Sequence, residues 1–176
     1  MFSFHTDGTR FLKGPRKYVS IRDYFEGHRP WLWFASMGLL GFFSFMPGTL
    51  ASAVVTLAYG LGLGRVPLSI QLPLWFLTTF LGIRAARVCE ERLRTPDPSF
   101  IVVDEWSGQW IALMGLPLEW PWLLAAFLIF RFLDVVKPLG LRRLERLPHG
   151  FGVMTDDIVA GVVTGLSLHG VRWLLH

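Results

Sequence analysis

Three stretches of the chain set acids and bases at the ends of apolar runs. They are Asp104-Glu105, the series Arg131, Asp134 and Lys137, and Thr155-Asp156-Asp157. Carboxylates beside apolar helices are costly unless they are paired, hydrated or bound to metal. Two acidic pairs plus a single Asp form an oxygen-rich set. Such a set suits Mg²⁺, which keeps several waters and is usually completed by a substrate phosphate. No His cluster with zinc spacing is present, which disfavours Zn²⁺. The single cysteine, Cys89, excludes an internal disulfide framework and a Cys-rich metal site. A Cys-x5-Arg phosphatase loop is also absent.

Each stretch also has a plainer reading. Arg131, Asp134 and Lys137 stand at i, i+3 and i+6, so neighbours in the series share a helix face. Arg offers a fork to phosphate oxygens and Lys a point charge; equally, Asp134 and Lys137 could pair at a helix end while Arg131 reaches lipid headgroups. Thr155 or Asp156 could cap a helix. However, Asp157, Gly161 and Gly165 recur every four residues, and small residues there would let another helix approach the acid. Asp104 and Gly108 repeat that spacing. Pro47-Gly48-Thr49 could be a kink, or its free N–H groups and the Thr49 hydroxyl could cradle a phosphate. His149 could shuttle a proton or be a solvated loop residue.

The elements that must position these groups are apolar. Hydrophobic residues are 52% of the 176 and charged residues only 17%, with a mean hydropathy of +0.45. The length suits one domain. The sequence pI near 9.7 does not point to nucleic acid. The basic residues lie between apolar runs, which fits anionic headgroups. Residues 1–29 read as a basic cytoplasmic leader, a tail or a surface helix, and 30–176 as the membrane-embedded domain. Apolar runs follow at 31–46, 49–63, 67–83, 106–116, 118–130 and 158–175, most of them 14–18 residues long. Full spans need about 20 apolar residues. In series, the runs predict an all-α polytopic bundle with four to five short transmembrane helices. Pro47-Gly48 predicts a re-entrant or broken first helix; a soluble helical bundle is the alternative. All but Arg65 and Arg172 of the 17 Lys and Arg residues fall in the leader, in 84–95 or in 131–146. The positive-inside rule puts those three segments in the cytoplasm.

Four motifs then resemble the phosphatidylglycerophosphatase A family of bacterial membrane lipid phosphatases. They are S-F-M-P-G-T-L-A-S at 44–52, I-V-V-D-E-W-S-G-Q-W at 101–110, F-R-F-L-D-V-V-K-P at 130–138 and G-F-G-V-M-T-D-D-I-V-A-G at 150–161. Their order and the chain length agree with that family over about residues 31–170. Two positions depart from its common pattern, Ala51 and Gly140, and both are backbone rather than ligand positions. The resemblance implies Mg²⁺-dependent removal of the phosphomonoester from phosphatidylglycerophosphate, giving phosphatidylglycerol, at the cytoplasmic face of the inner membrane. It implies catalytic roles for Asp104, Glu105, Asp134, Lys137, Asp156 and Asp157, with Thr49, Arg131 and Lys137 on the phosphate. The five acids are the expected metal ligands, and the expected partners are the lipid substrate and membrane lipids, not nucleic acid. No D-x-D-x-[TV] segment exists, so direct water attack is preferred to a covalent aspartyl-phosphate. Phosphatidyl transfer from a CDP-activated lipid is a rival, but its D-G-x-x-A-R core is absent. A transporter or scaffold would place acids at mid-membrane, often in repeats, and no repeat is seen.

Overall fold

A computed structural model describes residues 27–43, 46–95, 97–137 and 150–175, with the backbone of three short leader strands. The strands β1 (Ser3–Phe4), β2 (Arg10–Lys13) and β3 (Tyr18–Ser20) form an antiparallel sheet in sequence order. The leader therefore contains strand where a surface helix was one expectation. The rest of the described chain is helical: α1 (Arg29–Ala35), α2 (Pro47–Leu61), α3 (Leu68–Leu93), α4 (Val103–Leu113), α5 (Trp120–Val136) and α6 (Phe151–Leu175).

The run 31–46 does not become a crossing helix. α1 lasts seven residues, and Met37, Gly38 and Leu39 then take positive φ before a 3-10 turn at Leu40–Phe42. The break thus comes well before Pro47, which instead opens α2 in its first turn. That position suits proline, because the first helical N–H has no intrahelical partner to lose.

Two helices outrun the short spans expected. α3 has 26 residues and α6 has 25, or about 39 and 37 Å at 1.5 Å per residue. Both are long and apolar enough to cross a membrane, and α2 is apolar but shorter. Only 33% and 28% of their most apolar windows are buried, unlike the core helix of a soluble protein. Phe76, Phe80, Leu128, Phe132, Leu166 and Trp173 are exposed, and exposed apolar side chains in number mark a membrane or partner surface.

The 11-residue α4 is about 16 Å long, too short to cross. It packs against α2, α3, α5 and α6 and buries residues on every side. Small residues make this possible. A Cβ on Gly108 would stand 2.5 Å from the Asp157 carbonyl oxygen, and one on Gly161 would strike the Gly108 carbonyl. The α4 and α6 backbones therefore touch, as the four-residue spacing predicts. One apolar cluster, around Ala85, Cys89, Val103 and Met154, fills one end of the bundle. A second, around Tyr59, Trp75, Leu113 and Leu123, fills the other.

Candidate active site

Successive helices from α2 to α6 run in alternating directions, so the sequence-selected groups meet at one end. Gly48 and Thr49 open α2. Asp104 and Glu105 occupy the first turn of α4, Arg131 and Asp134 the last turns of α5, and Lys137 is its C-cap. Asp156 and Asp157 lie in the second turn of α6, which begins at Phe151. The capping role for Thr155 or Asp156 is thereby overturned: the helix starts several residues earlier, and both aspartates project from its body, buried.

All nine of these residues line one cavity of about 750 Å³. At its floor, Asp104, Glu105 and Asp157 bring carboxylate oxygens within 4.8 Å of one another. Asp104 Oδ1 and Glu105 Oε2 are buried and have no hydrogen-bond partner among the described residues. Buried polar atoms are nearly always satisfied, so exceptions at a cavity wall call for an explanation. Three carboxylates this close repel one another unless positive charge or a proton lies between them. The donors are oxygen only, which fits a hard divalent cation rather than zinc. Asp134 and Asp156 line the same cavity and sit beside this trio.

The basic groups do not pair as the plainer reading had it. Asp134 binds Arg131 rather than Lys137, and Lys137 Nζ reaches across to Asp156 Oδ2 at 2.5 Å. Lys137 holds φ +48°, a left-handed turn that ends α5 and carries its side chain toward α6. The Arg131 Nε is buried without a partner among the described residues. A Cβ on Gly48 would collide with the Glu105 carboxylate and lie 3.2 Å from Arg131 Nη1. The N-terminus of α2, a guanidinium and a carboxylate therefore converge on one glycine. Helix N-termini attract anions through free N–H groups and the helix dipole. These groups could hold a hard cation beside an anion.

Sequence reasoning missed Glu90 and Asp97, which also line the cavity. Asp97 reads as part of a Pro-Asp-Pro turn, and Glu90 as a counter-charge to nearby arginines. A signal existed: Gly82, Ala86 and Glu90 repeat the small-small-acid spacing of Gly165, Gly161 and Asp157 in reverse. His149 and Gly140 lie outside the described residues.

Fold and cavity together define a helical enzyme with an acid-rich site and a lipid-compatible surface. The family model described as Phosphatidylglycerophosphatase A matches residues 33–172. Relatives agree across most of their length. A Bacteroides thetaiotaomicron protein provisionally named a phosphatidylinositol-3-phosphatase is 42% identical, covering 77% of this chain and 89% of its own. The phosphatidylglycerophosphatases A of Escherichia coli and Haemophilus influenzae are 37% and 34% identical. They cover 68% and 73% of this chain and 84% and 81% of their own. No solved structure matches significantly. The chain belongs to the phosphatidylglycerophosphatase A family and is a phosphatase.

Proposed function

We propose that this enzyme hydrolyses the terminal phosphomonoester of phosphatidylglycerophosphate in a Mg²⁺-dependent reaction. The products are phosphatidylglycerol, for phospholipid biosynthesis, and inorganic phosphate. The observation that carries this reading is a carboxylate trio, Asp104 and Asp157 buried and Glu105 partly so, with oxygens within 4.8 Å of one another, sharing one cavity with Arg131, Lys137 and the start of α2. Relatives named for that activity support the choice of lipid.

Asp104, Glu105 and Asp157 would hold the Mg²⁺, with Asp134 and Asp156 flanking it. Bound there, the cation supplies Lewis acidity toward a phosphate oxygen and toward water. Arg131 receives phosphate oxygens on its guanidinium fork, and the Gly48 and Thr49 end of α2 adds backbone donors and a hydroxyl. Lys137 offsets the charge that grows on the transferring group. A carboxylate of the cluster takes a proton from the attacking water. Water attacks phosphorus, the bond to the glycerol oxygen breaks, that oxygen takes a proton from solvent as it leaves, and the carboxylate returns its proton to solvent.

The same proposal places the enzyme as a multi-pass protein of the bacterial cytoplasmic membrane, with its cavity facing the cytoplasm. Arg84, Arg87 and Arg92 stand on the cavity half of α3 and Arg94 caps it, while the opposite end carries only Arg65, Glu119 and Arg172 among the described residues. That asymmetry is the positive-inside pattern. The relative named for a phosphoinositide supports a second reading, the same chemistry on another lipid phosphomonoester. Phosphate release from purified protein decides between them. Phosphatidylglycerophosphate should be turned over in Mg²⁺ much faster than phosphatidylinositol 3-phosphate. The reverse order selects the second lipid, and no release from either rejects both.

A further inference from the structure

Glu90 stands near the C-terminal end of α3 and uses both carboxylate oxygens on backbone. Oε1 accepts from the Asp97 N–H at 3.3 Å and Oε2 from the Gly150 N–H at 3.0 Å. These two amides belong to the two segments that deliver the acids. Asp97 lies seven residues before Asp104, and Gly150 six before Asp156.

Both recipients are held in left-handed backbone. Asp97 has φ +45° and Gly150 φ +75°. A non-glycine residue rarely adopts that region without a local reason. Gly150 also lies hard against α3: a Cβ there would stand 2.6 Å from the Ile83 carbonyl oxygen and 2.7 Å from the Arg87 nitrogen. The far end of the 97–102 segment is fixed separately, by the Val102 N–H donating to the Ala35 carbonyl at 2.9 Å. One side chain of α3 therefore ties together the approaches to α4, whose first turn holds Asp104 and Glu105, and to α6, whose second turn holds Asp157.

We infer that Glu90 is a positioning residue, which sets the spacing of the carboxylate trio by clasping the Asp97 and Gly150 backbones. This rests on the trio binding a divalent cation, as proposed above. A carboxylate of this length offers one oxygen to each of the two amides. Gln keeps one acceptor and turns a donor on the other N–H, and Asp is one methylene short.

The test compares wild type, Glu90→Gln, Glu90→Ala and Glu91→Gln as purified full-length protein. Glu91 removes the same charge one residue away, where it pairs with Arg87 on the surface. Mn²⁺ binding is read by electron paramagnetic resonance, turnover by phosphate release, and folding by thermal unfolding. Outer groups that orient metal ligands typically change affinity or activity by about 10- to 100-fold. The expected result is a loss of that size in Mn²⁺ affinity and kcat for both Glu90 variants. KM for lipid and the unfolding midpoint should stay near wild type, and Glu91→Gln should match wild type throughout. Glu90→Gln with unchanged Mn²⁺ affinity and kcat overturns the inference, as does an equal loss in Glu91→Gln. If wild type turns over lipid but binds no Mn²⁺, the cation reading fails. Glu90 is then judged on kcat alone, an unchanged value rejecting the clasp.

Discussion

The two ends of the bundle treat their polar groups in opposite ways. Away from the cavity, past Gln109, whose buried amide has no partner among the described residues, several polar side chains are satisfied by backbone or by a neighbour. Tyr59 Oη accepts from the Gly115 N–H at 3.1 Å, His169 Nε2 lies 3.0 Å from the Met114 carbonyl, and Arg172 donates to the Gly115 carbonyl at 3.3 Å. Gln71 receives the Trp110 indole N–H and gives its own amide to the Val66 carbonyl. These bonds hold the α4–α5 turn against α2, α3 and α6. At the cavity end, Asp104, Glu105 and Arg131 keep buried atoms unmatched among the described residues. A closed polar network buys rigidity, whereas an open one stores free energy that a ligand can release. The difference separates the part of the molecule that holds shape from the part that binds.

The largest expected effect comes from the open end. Asp104→Asn keeps the volume but removes a charge from the trio, and phosphate release should fall about 10³-fold, as when a transition-state electrostatic partner is lost. A loss below tenfold would place Asp104 outside the chemistry. Arg131→Lys keeps charge but loses the fork and the contact with Asp134. Activity should fall about 10- to 100-fold, mostly through a weaker grip on phosphate, read as a raised KM. An unchanged KM would move Arg131 to a structural role.

Gly108→Ala probes the wall between the two ends. Its new Cβ meets backbone of α6 at 2.5 Å, which a side-chain shift cannot relieve. Stability should drop by about 1–3 kcal/mol, with activity falling alongside. Thermal unfolding of the purified variant checks this, and an unaltered midpoint would mean the helices are not in contact there. The smallest effect belongs to the closed end. His169→Ala removes one bond to a backbone carbonyl, worth about 1 kcal/mol, and should leave turnover within about twofold of wild type. A large activity loss at normal stability would erase the distinction between the ends.

The site was more legible in the sequence than the helix limits were. Acids and bases in apolar surroundings are rare enough that Thr49, Asp104, Glu105, Arg131, Asp134, Lys137, Asp156 and Asp157 could be picked out together, and one cavity gathers them. Four-residue spacing of small residues foretold the contact of α4 with α6. By contrast, apolar runs mark only the stretch that shuns water. α3 continues through Arg84, Arg87 and Arg92 to Leu93, and α6 begins at Phe151 rather than Ile158, because the backbone goes on bonding to itself where side chains turn polar. That error displaced Asp156 and Asp157 from helix body to helix mouth. Glu90 stayed hidden because its partners are backbone amides 7 and 60 residues away, and no side-chain pattern records them.

The central claim is that the carboxylate trio carries a cation needed for hydrolysis. It is tested most directly by phosphate release from phosphatidylglycerophosphate by wild type and Asp157→Asn across a Mg²⁺ titration, each starting from chelator-treated protein. Wild type should be inactive without added cation and saturate as Mg²⁺ rises. Asp157→Asn should need far more Mg²⁺ and reach a much lower plateau. Full wild-type activity in chelator, or a variant that follows the wild-type curve, would contradict the account.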